Sequence, residues 1–152
     1  MLYQLSILLT NFFYLLITSL SMIPYEFIYS FINSSLHLDK SIRWVGLTNR
    51  EGLIINEKYR EDLHPFLTEE ENEEYASNAI SRQKTRSKFE EKIGKLIYAF
   101  GKYEKLNRAT IPINDNYFLL LSIDSEELNF DKIIMDKVLP LINENKEKFV
   151  SI

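Results

Sequence analysis

Short apolar runs broken by polar turns alternate along this chain with longer stretches of helical spacing. Residues 41–59, "SIRWVGLTNREGLIINEKY", hold two such runs, Ile42 to Leu47 and Leu53 to Ile55. Thr48-Asn49-Arg50-Glu51 and Gly52 lie between them, so the stretch predicts a hairpin. Before it, Pro24 suits the first turn of a helix, where its missing N–H is no loss. Phe27, Ile28, Phe31, Ile32 and Ser35 continue that helix at i, i+3, i+4 spacing to about Leu38. After the hairpin, Glu57 to Phe66 is a connection closed by Pro65. Thr68-Glu69-Glu70-Glu71 then matches a capping box and opens a long helix. Gly94, able to take a left-handed C′ conformation, stops it after about Ile93.

Three further strands are predicted over Lys95 to Lys102, Leu106 to Ile113 and Tyr117 to Asp124. The last two are joined by the turn residues Asn114-Asp115-Asn116. Phe118-Leu119-Leu120-Leu121 does not alternate, so this strand should be covered on both faces and lie inside the sheet. Pro112 cannot donate to a ladder and should fall near a strand end. A final helix carries Phe130, Ile133, Ile134, Val138, Leu141 and Ile142 on one face, and Pro140 should bend or open it. The order α-ββ-α-βββ-α predicts an α+β fold, a five-stranded antiparallel sheet flanked by helices. Trp44, Ile54, Phe100, Leu119, Leu121, Ile134 and Val138 are expected in one continuous core.

Residues 1–23 stand apart. No charged side chain precedes Glu26, and Leu2 to Ile23 has the roughly 20 residues a bilayer crossing needs. Gln4, Asn11 and several Ser and Thr count against a spanning helix, because amides are costly in lipid. Three readings compete: a membrane anchor, an extension ahead of a true start at Met22, and a buried helix. For the anchor, Lys40 and Arg43 after the span place the rest of the chain at the cytoplasmic face. The expected division is therefore 1–23, an apolar segment, and 24–152, one domain.

The totals narrow the chemistry. The 152 residues suffice for one domain with a proper core. With no Cys there is neither disulfide nor thiolate chemistry. A net charge of −4 argues against nucleic acid as a partner. His37 and His64 are the only imidazoles, too few for a zinc site, and neither lies near a Ser in a Gly-flanked elbow. The glycines at 46, 52, 94 and 101 form no phosphate-cradling loop. The expectation is a protein with no catalytic residues, no metal and no cofactor.

One constellation survives. Arg82 and Arg86 share a face of the central helix at i, i+4, and continue the track set by Tyr75, Ala79, Phe89 and Ile93. Their stems could lie over the sheet while the heads pair with Glu90 or Glu104. They could instead sit at an interface, or bind an anion or an acidic segment.

The element order, with a buried last strand, resembles the roadblock (dynein light-chain) domains and their profilin-like and longin-like relatives. "IRWVGL" and "YFLLLSI" suit the neighbouring first and last strands of that fold. "SIRWVGLTNREG", "FEEKIG" and "YEKLNRATIPI" also resemble an archaeal protein family of this type, over about residues 24 to 145. These motifs are structural, and they bring a fold without an activity. The resemblance implies a non-enzymatic, homodimeric interaction module in the cytoplasm, of the scaffold or small-GTPase-regulator kind. It also implies pairing through the central helix and the next strand, which places Arg82, Arg86, Tyr98 and Phe100 at the interface. The alternative is a sensor domain tethered to the membrane by residues 1–23, binding a small anion through Arg82 and Arg86.

Overall fold

The computed structural model describes residues 1–21 and 23–149, with the side chains of 15–21 left aside. Helix α1 spans Leu2–Ser21 and α2 spans Tyr25–Leu36. Strands β1 (Ile42–Asn49) and β2 (Ile54–Tyr59) form the expected hairpin. Helix α3 (Glu69–Ser87) and a single turn, α4 (Glu90–Ile93), precede β3 (Ala99–Lys102), β4 (Leu106–Pro112) and β5 (Tyr117–Asp124). The last helix runs from α5 (Phe130–Ile133) through a π-helical stretch, Ile134–Val138, into α6 (Leu139–Asn145). A 3₁₀ turn, Lys146–Lys148, ends it.

The sheet order is β2-β1-β5-β4-β3, all pairs antiparallel. The last strand therefore sits mid-sheet beside the first, as its unbroken apolar run predicts. The hairpin turn is built by Asn49, whose Oδ1 accepts from the backbone N–H of Glu51 and of Leu53. Gly52 completes it at φ 83°. Asn114 does the same for the β4–β5 turn, accepting from the backbone N–H of Asn116 and Tyr117. The capping box at α3 is formed: Thr68 N–H donates to Glu71 Oε2 at 2.8 Å, and Glu71 N–H to Thr68 Oγ1 at 3.2 Å.

Each face of the sheet has its own apolar cluster, which corrects the expectation of a single core. The larger joins Val45, Leu47, Ala109, Ile111, Leu119 and Leu121 to α2 and the C-terminal helix, through Ile32, Ile134, Val138 and Phe149. The smaller holds Trp44 and Leu120 under Ala76 and Ala79 of α3, with Ile54 at its margin. The reason is the pleat: successive residues of β1 and β5 point to opposite faces. Trp44 and Leu121 therefore cannot share a core.

Three element boundaries differ from expectation. The long helix stops at Ser87, six residues early. There the Ser87 hydroxyl bonds back to Lys84 O, in competition with the helical ladder. The chain then makes the single turn α4 before Gly94 at φ 87°. Strand β3 begins at Ala99 rather than Lys95. Its register with β4 would bring Ile97 opposite Pro112, which has no N–H to offer. Finally, β2 continues to Tyr59, through the first residues of the expected connection, because Glu57, Lys58 and Tyr59 pair with β1. Pro140 opens the preceding turn into the π-helical stretch, one of the two outcomes expected of it.

Two of the three N-terminal readings meet a structural finding, and the extension ahead of Met22 meets none. Among the described residues no helix is long and apolar enough to cross a membrane. Residues 1–14 of α1 are exposed, Leu2 at 86% and Phe12 at 62%, which runs against a buried helix over that part. Met22 lies outside the described residues.

Candidate functional site

Helix α3 rests on the sheet through Asn72, Ala76, Ala79, Ile80 and Gln83, an i, i+4, i+7, i+8, i+11 stripe. The sequence pattern misplaces this face, because two of its five members are amides. The two alanines allow a close approach, in which Trp44 lies across Gly46. A Cβ on Gly46 would meet the indole at 2.5 Å. The arginine beneath α3 comes from β4. Arg108 is 6% exposed, and its guanidinium carbon lies 3.8 Å from the ring centroid of Tyr75 and 5.2 Å from that of Trp44. Such stacking on aromatic faces suits the weakly hydrated guanidinium.

Polar partners reach Arg108 through a relay. Its Nη2 donates to Asn72 Oδ1 at 2.7 Å. Asn72 Nδ2 donates to Glu57 Oε2 at 3.0 Å, and the Trp44 indole N–H donates to the same oxygen at 2.7 Å. A carboxylate is thus held one amide away from the guanidinium rather than against it. Arg108 Nε and Nη1 are buried with no hydrogen-bond partner among the described residues. Burial pushes the Arg108 pKa down from its ordinary value, and the neighbouring Tyr75 and Tyr59 phenols act against that. Tyr75 is raised to about 12 by burial first, then by its hydrogen bond with Tyr103. Tyr75, Tyr103, Phe66, Leu67 and Leu106 wall an apolar cleft of about 480 Å³, with Arg108 in its lining. Aromatic residues before a Pro-containing connection and one Arg within an apolar strand were the only sequence signals for this site.

The expected site residues fall in two places. Arg82 and Arg86 are exposed on α3, and Arg82 lies over the Tyr75 ring at 5.5 Å. Tyr98 and Phe100 lie at β3 but face the opposite layer. There the Phe100 ring stacks on Phe130 with centroids 3.7 Å apart. The Tyr98 hydroxyl donates to Asp131 Oδ1, and burial together with that bond raises its pKa to about 12. The arginines and the aromatics therefore do not form one cluster, though both flank β3.

That flank is open. β3 is an outer strand of the sheet; next to it in the chain Ile97 and Tyr103 are 54% and 50% exposed, and in the preceding turn Phe89 and Ile93 are 57% and 82% exposed. A second cleft, of about 420 Å³, lies at the other end of α3, where Gln83 and Lys84 face Pro112 and Phe118. Gln83 Oε1 is buried there without a partner among the described residues. The opposite edge, β2, is flanked by α2, and Lys58 Nζ bonds Asn33 Oδ1 across the two elements. Among the described residues no group of three or more His, Asp or Glu side chains is placed to hold a metal ion. His37 Nδ1 pairs with Asn33 O at 2.7 Å at the end of α2.

No family model matches the chain, and no curated protein does. Solved structures do. One described as MglB with tetrameric arrangement aligns over 84% of this chain and 90% of its own, at TM-score 0.68 and 13% identity. The gliding protein mglB from Thermus thermophilus aligns over 84% and 88%, at 0.61 and 14% identity. A Roadblock/LC7 domain from Streptomyces avermitilis aligns over 77% and 92%, at 0.60 and 8% identity. At such identities the likeness is one of fold, and it agrees with the strand order derived above. The chain has the roadblock-like fold.

Proposed function

We propose that this domain is a non-enzymatic protein-interaction module, of the scaffold or small-GTPase-regulator type. It works in the cytoplasm as a homodimer joined through α3 and the β3 edge. The observation that carries the reading is the open β3 flank. An outer strand with exposed Ile97 and Tyr103 next to it in the chain, and exposed Phe89 and Ile93 in the turn before it, is a template for pairing unless something covers it. The clefts at both ends of α3 support the same assignment, because they leave the sheet floor beside the helix unfilled. The similar structure described as tetrameric supports self-association as a habit of this fold. On this reading Arg82 and Arg86 form the polar rim on α3, while Tyr98 and Phe100 anchor β3 from the far face so that its edge stays straight.

Sedimentation equilibrium of the full chain tests the proposal, with Arg86→Glu and Ile97→Glu as perturbations. A dimer at micromolar concentration that dissociates in the variants, with far-UV circular dichroism unchanged, supports it. A monomer at every concentration removes it. The rival reading, a sensor for a small anion, gains no support from a membrane tether. It is favoured by the idle guanidinium of Arg108 rather than by Arg82 and Arg86.

A further inference from the structure

Most buried arginines in folded proteins face a carboxylate, since an uncompensated buried charge is costly. Arg108 does not. The carboxylate in its relay, Glu57, already accepts from Trp44 and Asn72, and Asn72 stands between the two groups. Two of the three guanidinium nitrogens, Nε and Nη1, lack an acceptor among the described residues, although the residue is only 6% exposed. A void of about 20 Å³ beside Trp44, Asn72 and Arg108 has room for about one water. A single water leaves the guanidinium short of an anion.

The cleft on the other side supplies what such an anion would be attached to. Its volume of about 480 Å³ lies within the range of roughly 300–1,000 Å³ usual for small-molecule sites. Its walls are Phe66, Leu67, Tyr75, Tyr103 and Leu106, so the body of an occupant meets rings and aliphatic groups, while the exposed Glu104 and Lys105 bring one charge of each sign to the lining. The Tyr103 ring, half exposed, lies over Gly101, where a Cβ would come within 3.3 Å of it. Its hydrogen bond with Tyr75 holds it at the mouth of the cleft, with its other side toward solvent. Arg108 is the one basic side chain of the lining that is buried. Lys105, at the rim, is exposed.

We propose that this cleft binds a small organic monoanion, a carboxylate on an apolar or aromatic body, with the carboxylate taken by Arg108. The rings of Tyr75 and Tyr103 hold the body, and the Glu57–Asn72 relay keeps the guanidinium in place. Glu57 adds selectivity. Its carboxylate, one amide away, disfavours a dianion and leaves the site matched to a single negative charge. The proposal is independent of self-association.

The test compares 1-naphthylacetate with 1-naphthylacetamide, which share a body and differ in charge, by titration calorimetry on the full chain. ¹H–¹⁵N NMR follows the Arg108 Nε–H and the indole N–H of Trp44, the only tryptophan. The acid is expected to bind roughly tenfold or more tighter than the amide, as hydrogen bonds to a charged group imply. It should also shift both N–H signals. Arg108→Gln should abolish the preference for the acid, and Tyr103→Ala should weaken both compounds while the domain stays folded. Equal affinity for acid and amide in the wild-type chain overturns the proposal, and that comparison needs no variant. No binding of either compound overturns it too. If binding is absent and Arg108→Gln dissociates a dimer, the acceptor is a side chain of the second copy and the small-molecule site is wrong.

Discussion

The indole N–H of Trp44 and the side-chain amide of Asn72 donate to one oxygen, Glu57 Oε2, at 2.7 and 3.0 Å. The shared acceptor joins β1, β2 and α3 at one point and fixes the Asn72 amide so that its oxygen faces Arg108. Glu57→Gln keeps the shape but presents a neutral amide that can no longer serve both donors as well. Asn72→Ala removes the relay and takes away the acceptor that the guanidinium meets at 2.7 Å, leaving it the Tyr75 phenol. The second change should cost more, about 1–3 kcal/mol or above, the penalty for stranding a buried polar group. Urea denaturation of both variants, followed by Trp44 fluorescence, gives the order.

Gly52 and Gly94 both have positive φ, yet they should respond differently to alanine. At Gly52 (φ 83°) a Cβ would lie 2.7 Å from Ser77 Cα, a backbone atom of α3 that cannot turn aside. At Gly94 (φ 87°) no heavy atom of the described residues, its chain neighbours aside, lies within 4 Å of that position. Gly94→Ala should therefore cost only the left-handed backbone penalty, about 1–2 kcal/mol. Gly52→Ala should exceed that, because the hairpin must also move off the helix. Thermal melts of the pair separate the two contributions.

Leu121 is 1% exposed in the centre of β5 and packs in the larger cluster. Leu121→Ala should cost about 2–5 kcal/mol, as large-to-small changes in cores do. A loss below about half a kcal/mol in chemical denaturation would remove β5 from the centre of the sheet.

Acid should loosen the C-terminal helix. Lys137 Nζ donates to Asp39 Oδ2 at 2.7 Å, and Ser41 donates to Oδ1 through both its backbone N–H and its hydroxyl. The Lys137 bond leads in holding the Asp39 pKa down to about 2, against an ordinary value of 3.8. At Asp124, burial pushes upward, but the hydrogen bonds from Arg60 and Arg43 outweigh it and the pKa is lowered. A carboxylate lowered by folding contributes its stability above the unfolded pKa and loses it as pH falls through the folded one. Urea midpoints should therefore fall from about pH 4 toward pH 2. Asp39→Asn should be less stable at pH 7 and show a shallower fall.

Much of this fold was legible because its devices are local. A capping box, an Asn-initiated turn, a glycine at a hairpin and a proline at a strand end each specify their own few residues. The unbroken Phe118–Leu121 run even placed β5 inside the sheet. What was not legible depended on alternatives that local pattern cannot rank. The buried stripe of α3 includes Asn72 and Gln83, whose burial is made tolerable by partners from β2 and β4 or by a cleft. A periodicity count therefore rotated the helix toward Arg82 and Arg86. Arg108 sits in "LNRATIP", where alternation alone predicts a solvent-facing cation, and only the packing of Tyr75 and Trp44 around it makes it a buried one. The candidate interface residues were chosen along β3 and α3, as if the two elements offered one face. The sheet pleat then sent Tyr98 and Phe100 to the face away from Arg82 and Arg86.

The central claim is that the outer edge of β3 is an interface, and amide hydrogen exchange at Ala99–Lys102 tests it most directly. In a monomer the amides that point away from β4 have no ladder partner and exchange with solvent quickly. With β3 at a dimer interface, these amides become protected as the full chain is concentrated from nanomolar to high micromolar, in step with the mass from sedimentation. Ile97→Glu should abolish the protection. Exchange at β3 that stays fast and independent of concentration would contradict the account, whatever the chain is found to bind elsewhere.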